Sequence, residues 1–352
     1  MFRTMNTMME EYRGRKGLMH KIIVAGCGGM SRTWIEIAKN RGDCEIVGLA
    51  DVNIDAANDK KERYGLNANT YTSIAEALEK EAANLVFDIT VPEAHFDTVT
   101  AALKAGCNVF GEKPMSDSLE NAEKMVECAE ETQREYFVMQ NRRYIPGLAA
   151  LKGFLQSKRI GAIGQISANF QLGPRFGGFR DEMDSPLIAD MAIHTFDAAR
   201  FITGKNAVSV YCLEFNPIWS WYKGNANALC IFEMEDGSVF DYRGSWCYRG
   251  LNTSWESEWR VACSEGAVSW DGTNNLYFDA ASEGSDHPGA VTVEEIAPEE
   301  VGLTGHAACL KEMFDALESG KRPQTDCRDN INSIRMVQKA IESAKTKKTV
   351  SI

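Results

Sequence analysis

No block rich in lysine or arginine interrupts this sequence, whose formal net charge is −12. Without a cationic face the chain has little to offer a run of phosphates, which argues against nucleic acid as a partner. Nor is there an apolar stretch long enough to span a bilayer, so no membrane anchor is expected. Ten cysteines stand singly at positions 27, 44, 107, 128, 212, 230, 247, 263, 309 and 327, with no Cys-x-x-Cys among them. That scatter lacks zinc-ligand spacing, so no metal is expected, and it gives no disulfide framework. It suits buried free thiols in a reducing compartment, the cytoplasm. Internal repeats and low-complexity tracts are also missing. Met1–Leu18 lacks the continuous apolar core of a secretory signal. It reads as a disordered leader or an upstream start, with the fold beginning at Met19.

What is present is ordinary globular material: 352 residues, 44% hydrophobic and 25% charged, enough for two domains. From Lys21 to Met139, short β-branched runs alternate with amphipathic helical stretches. This rhythm predicts an α/β Rossmann-type domain over 19–142, a parallel sheet with helices on both faces. After about Asn141 the pattern changes to long alternating segments such as Val208–Phe215 and Ala228–Glu233. The turn signals Glu235-Asp236-Gly237 and Ser264-Glu265-Gly266 separate such segments. One helix, about Pro186–Ile202, interrupts them, and helices near Thr304–Glu318 and Asp329–Lys345 close the chain. Residues 143–352 therefore read as an α+β domain with a mostly antiparallel sheet and helices on one face.

Between the first strand and its helix stands Gly26-Cys27-Gly28-Gly29-Met30-Ser31. Gly26 permits the tight turn, and Gly28 lets the backbone approach a pyrophosphate seated on the helix N-terminus. Ser31 replaces the usual third glycine with another small residue. Asp51 ends the second strand, where a carboxylate accepts hydrogen bonds from both ribose hydroxyls and repels a 2′-phosphate. NAD is favoured over NADP on that ground. The competing role for Asp51 is a helix cap, which Asp55 fills more naturally.

Three further motifs follow in order: Thr90-Val91-Pro92 with His95, Gly111-Glu112-Lys113-Pro114, and Asp190-Met191-Ala192-Ile193-His194. With the glycine turn and the closing Gly320-x-x-Pro323, they resemble the glucose–fructose oxidoreductase, inositol dehydrogenase and MocA family from about Met19 to the end. The resemblance implies an NAD-dependent oxidoreductase acting on a secondary alcohol of a sugar, cyclitol or sugar derivative. It implies Lys113, Asp190 and His194 as catalytic residues. It implies Gly26, Gly28, Gly29, Met30, Asp51, Thr90, Pro92, His95, Glu112 and Lys113 around the cofactor. It also implies a homodimer or homotetramer joined through the sheet of the second domain.

The chemistry asks for such groups. Hydride leaves a carbinol carbon only as its hydroxyl loses a proton, and an imidazole titrates near neutrality, so His194 is the first choice of base. Lys113 then stabilises the charge developing on oxygen. A neutral Lys113 acting as base stays open, because burial disfavours an ammonium. Asp190 binds a neighbouring hydroxyl or holds the imidazole tautomer, and Asp197 extends the same helix face to orient the histidine. Arg142 and Arg143 lie by the site or form structural ion pairs. Arg180, in a mobile loop over Gly177–Glu182, is a candidate substrate contact with Arg142, Asp197 and Trp246. Six tryptophans fall between 219 and 270, as packing or as a sugar platform at Trp219–Tyr222 and Trp246. His287 and His306 lie outside any motif and read as non-catalytic. Two other functions compete: redox-neutral cleavage of a glycoside through transient oxidation, and a non-catalytic cofactor-sensing regulator.

Overall fold

Phe87, Phe110 and Phe137 sit directly opposite one another on three neighbouring strands, and that row fixes much of the first half of the molecule. The coordinates are a computed structural model that describes residues 19–157, 159–280, 293–298 and 302–352. The proposed leader and His287 lie outside the described residues. The chain divides into two compact units. One comprises residues up to Asn141 together with Gly302–Ile331, and the other Arg142–Val301 with Asn332–Ile352.

In the first unit the strands are β1 (His20–Ala25), β2 (Cys44–Ala50), β3 (Asn69–Tyr71), β4 (Leu85–Asp88), β5 (Asn108–Gly111) and β6 (Tyr136–Val138). Helices α1 (Ser31–Asn40), α2 (Ile54–Tyr64), α3 (Ile74–Lys80), α4 (Pro92–Lys104) and α5 (Leu119–Thr132) alternate with them. All pairs are parallel, in the order β3-β2-β1-β4-β5-β6. The chain therefore changes direction across the sheet between β1 and β4, the place where open α/β sheets leave a crevice at their carboxyl ends.

The sequence expectation that 19–142 stands alone needs correcting. Residues 302–331 return to the first unit, and the reason is apolar. Phe314, from the late helix Gly305–Ser319, packs edge-on against Phe110 at 5.1 Å and Phe87 at 6.2 Å. Arg41 covers its other side, 4.0 Å from the ring centroid. Burying one such ring stabilises by about 1.5–3 kcal/mol, enough to draw a distant segment onto this sheet.

The second unit is built on nine strands. They are β7 (Ile163–Gln171), β8 (Ala207–Phe215), β9 (Asn227–Met234), β10 (Val239–Ser245), β11 (Glu258–Cys263), β12 (Gly266–Trp270), β13 (Leu276–Ala280), β14 (Val293–Glu295) and β15 (Val350–Ser351). Their order is β14-β13-β12-β11-β7-β10-β9-β8-β15, antiparallel except where β10 meets β7. Burial alternates along β8 and β9, as expected of a sheet with one covered and one open face. Phe196 packs onto the covered face, 4.8 Å from Phe232 and 5.2 Å from Tyr242. It belongs to α8 (Ile193–Thr203), which follows α6 (Pro146–Leu155) and the single turn α7 (Phe179–Glu182). Immediately before α8, Leu187–Ala192 is wound as a π-helix. Among the described residues no helix is long and apolar enough to cross a membrane.

Candidate active site

At the carboxyl end of β1 the backbone of Gly26 has φ +89°, and an added Cβ would lie 2.3 Å from the Ile89 carbonyl oxygen. Only glycine fits there, because the end of β4 passes directly behind. Gly28 and Gly29 face open space and, with Met30, are exposed. Ser31 fills the position of a third glycine: it is buried, and its hydroxyl donates to the Gly28 carbonyl at 2.7 Å. Helix α1 begins without a side-chain cap or an acidic residue in its first turn, so its leading N–H groups are open to an anion.

Asp51 closes the same loop. Its Oδ2 accepts from the Cys27 N–H at 2.7 Å and its Oδ1 from the Asn53 N–H at 2.8 Å. A carboxylate has about four acceptor sites, so two remain for the ribose hydroxyls of a dinucleotide. The bare glycine backbone, the uncapped helix and this carboxylate fit the adenosine and pyrophosphate of NAD. Neither Asp51 nor Asp55 caps α2: that role falls to Asn53, whose side chain accepts from the Asp55 N–H.

At the end of β4, Thr90 donates through its hydroxyl to Asp88 at 2.6 Å, and Pro92 opens α4. His95 departs from expectation. It is 1% exposed, with Nδ1 2.6 Å from Asp88, itself 0% exposed. Burial by itself lowers the imidazole pKa, but the adjacent Asp88 carboxylate outweighs it and the net shift is upward. The histidine thus presents no face to a cofactor. It pins the turn that presents Thr90, and Asp88, unmarked by any motif, is the residue it works through.

At the end of β5, Glu112 is buried, accepting from the Trp34 indole at 2.8 Å and from the Lys113 N–H at 3.2 Å. His306 stands beside it, with Nε2 3.9 Å from Glu112 and Nδ1 3.4 Å from Asn141 Nδ2. Burial lowers the His306 pKa, opposed by Glu112 and assisted by Lys113. From sequence alone His306 reads as non-catalytic. It reaches the lysine motif because the segment bearing it returns to this unit. Glu112 therefore sets the position of Lys113 more than it faces a ligand.

In the second unit the π-helical turn carries Asp190, whose Oδ2 accepts from Arg180 Nε at 2.7 Å. Such widened turns are frequent at functional sites. His194 follows, buried, in the first turn of α8. Arg180 lies in α7, so part of the expected loop is helical. Asp197 does not orient His194. Arg143 donates to both its oxygens, at 2.7 and 2.6 Å, Ser333 donates at 2.7 Å and Arg200 lies 3.7 Å away. Asp197 and Arg143 are thus a buried structural pair. Arg142 is also engaged internally, donating to the Trp255 carbonyl and lying 3.5 Å from Glu256. Trp246 is 0% exposed and cannot itself serve as a sugar platform. It packs beneath Trp255 and Phe176.

Among the described residues, His20, Asp43 and Glu318 bring potential metal ligands together. Arg41 already occupies the cation position there, 2.9 Å from Asp43 and 3.3 Å from Glu318.

Comparison with known proteins gives a consistent result. A family described as oxidoreductase, NAD-binding Rossmann fold matches residues 20–140, and the GFO/IDH/MocA C-terminal domain matches residues 148–269. An uncharacterized protein, y4oX, of Sinorhizobium fredii is 26% identical over 350 residues, 95% of this chain and 96% of its own length. D-apiose dehydrogenase of Paraburkholderia graminis is 24% identical over 345 residues, covering 93% of this chain and 88% of its own. In fold the chain is similar to an oxidoreductase from Agrobacterium radiobacter solved with NAD+, L-tartaric acid and magnesium. The TM-score is 0.82 at 21% identity, with 95% of this chain and 98% of that one covered.

Proposed function

The chain belongs to the GFO/IDH/MocA family of oxidoreductases, and we propose that it uses NAD to oxidise a secondary alcohol on a sugar, cyclitol or sugar derivative. Its first unit is an NAD-binding Rossmann domain. Gly26, Gly28, Gly29, Met30 and Asp51 would hold the dinucleotide, which supplies the hydride acceptor when bound. Lys113 donates to the reacting oxygen as negative charge develops on it. His194 is the general base that takes the hydroxyl proton. Asp190, set in place by Arg180, receives a neighbouring hydroxyl.

The observation that carries this reading is the fixed placement of Lys113 at the carboxyl end of β5, its N–H on Glu112 and Glu112 on Trp34. One relative similar along most of its length is, by name, D-apiose dehydrogenase. Purified protein incubated with NAD and a panel of sugars, inositols and aldonates is expected to form NADH. Lys113→Ala and His194→Ala should each lower turnover about 10²-fold or more. No NADH across the panel, with NAD demonstrably bound, overturns the reading.

The same reading includes a homodimer or homotetramer formed through the open face of the nine-stranded sheet. Register places Tyr211 opposite Ile231 and Leu213 opposite Leu229, and all four are exposed there. A contiguous apolar strip of this kind is costly to leave in water.

A further inference from the structure

We infer that Phe176 and Trp255 form a stacking subsite for a second ring of the substrate, so that the enzyme acts on glycosides or disaccharides in preference to free monosaccharides. This rests on the reading above, with Asp190 receiving the ring to be oxidised. Single exposed aromatic side chains are common and carry no message. These two differ in how they are mounted. Phe176 is 60% exposed and Trp255 43% exposed, and their rings lie near parallel at 27°, with centroids 6.3 Å apart. Both rest on the buried indole of Trp246, at 6.0 and 5.6 Å. Trp246 in turn packs on Phe170, 5.6 Å away. A rigid floor therefore lies beneath both exposed rings.

The backbone is fixed as well. Arg142 donates to the Trp255 carbonyl from behind. After Phe176 the chain turns through Gly177 and Gly178, at φ +68° and +71°, conformations that favour glycine. That turn delivers Arg180, whose guanidinium lies 5.8 Å from the Phe176 ring and 4.6 Å from Phe179. Its Nε is the group that holds Asp190 at 2.7 Å. One guanidinium thus lies between the Phe176 ring and the candidate catalytic carboxylate. Aromatic faces attract the C–H-rich face of a pyranose or the ring of an aryl aglycone, while edge hydroxyls need donors. Arginine has five donors, and Nε alone is spent on Asp190 in this pair.

The test compares one-ring and two-ring substrates in the full-length enzyme with NAD. Methyl glycosides serve as the first class, disaccharides and phenyl glycosides as the second. In Trp255→Ala and Phe176→Ala the ratio of kcat/KM for two-ring over one-ring substrates is expected to fall about tenfold, mostly through KM. Trp255→Phe should restore most of it. An equal fall in both classes overturns the subsite, as does a change in oligomeric mass for Trp255→Ala, which would mark the patch as a subunit contact. If the wild type oxidises no sugar, the function proposed above fails separately. Saturable quenching of tryptophan fluorescence by a disaccharide, lost in Phe176→Ala, then still supports the subsite, and no quenching in the wild type overturns it.

Discussion

Arg180 places its Nε 2.7 Å from Asp190 Oδ2, and this pair links a short helix to the π-helical turn that leads into α8. The Arg180 side chain is 31% exposed and that of Asp190 only 10%. A partly exposed pair contributes little to stability, about 0–1 kcal/mol. Its value is orientation: it fixes one oxygen of the carboxylate that the proposed function assigns to a substrate hydroxyl. Arg180→Ala is therefore expected to lower kcat/KM about tenfold or more while the thermal midpoint moves little. Arg180→Lys should recover only part, because an ammonium lacks the planar fork. Steady-state NADH formation beside a thermal melt checks this. A melt that collapses together with activity would show that Arg180 serves the fold instead.

Glu214 offers a pH test on the same segment. It lies on β8, buried, and its Oε2 accepts from Ser185 at 2.9 Å, two residues before the π-helical turn. Burial pushes its pKa up from 4.5 to about 7, against the opposing pull of Ser185, Lys345 and Lys347. A raised carboxyl pKa favours the folded state at low pH. That contribution is complete below the unfolded value of 4.5 and is lost as pH rises through about 7. The loss amounts to roughly 3 kcal/mol at most. Glu214→Gln keeps an acceptor for Ser185 without the ionisation. Its thermal midpoint should match wild type at acid pH and exceed it at pH above the folded value. An equal difference at both pH values would contradict this.

The sequence made some of this site legible and hid the rest for identifiable reasons. The positions of Gly26 and Asp51 were readable because they follow from local geometry: a left-handed turn after a strand and a carboxylate at the next strand end. The mostly antiparallel character of the second sheet was readable from alternation, and so were its hairpin turns at Gly237 and Gly266, but β13, β14 and β15 were not. What escaped depends on partners far away in the chain. Nothing local to Asp197 says that Arg143 and Ser333 will saturate it. Nothing local to His306 says that Phe314, eight residues on, will anchor its helix beside Phe110. The burial of Trp246 is likewise set by Phe170 and Trp255, so counting tryptophans could not tell a floor from a platform. The π-helical turn at Asp190 has no composition signal at all.

In the proposed complex, cofactor choice turns on Asp51. With two acceptor sites on Cys27 and Asn53, its remaining lone pairs face the adenosine ribose in the proposed complex. Asp51→Ala is expected to weaken NADH binding about tenfold to a hundredfold, the value of one or two hydrogen bonds to a charged group. Asp51→Asn keeps an acceptor for the loop and removes the charge, so its NADP-to-NAD activity ratio should rise. Fluorescence titration with NADH and NADPH measures both effects. Unchanged discrimination in both variants would remove Asp51 from cofactor recognition.

Assembly can be tested on the open sheet face without touching any candidate site residue. Ile231 is 55% exposed on β9, and register sets it opposite Tyr211, with Leu213 and Leu229 as the next pair on that face. The buried face beneath is already complete, with Phe232 and Cys230 turned inward. Replacing Ile231 by glutamate therefore adds a charge to the open face and leaves the core intact. If a second copy covers this strip, the charge is buried without a partner and association weakens by several kcal/mol. Light scattering behind size exclusion should then report a wild-type oligomer and an Ile231→Glu variant of lower mass, with a similar far-ultraviolet dichroism spectrum. A wild-type monomer, or a variant that assembles as the parent does, places the interface elsewhere. The strip would then have no second copy to account for its exposed apolar pairs.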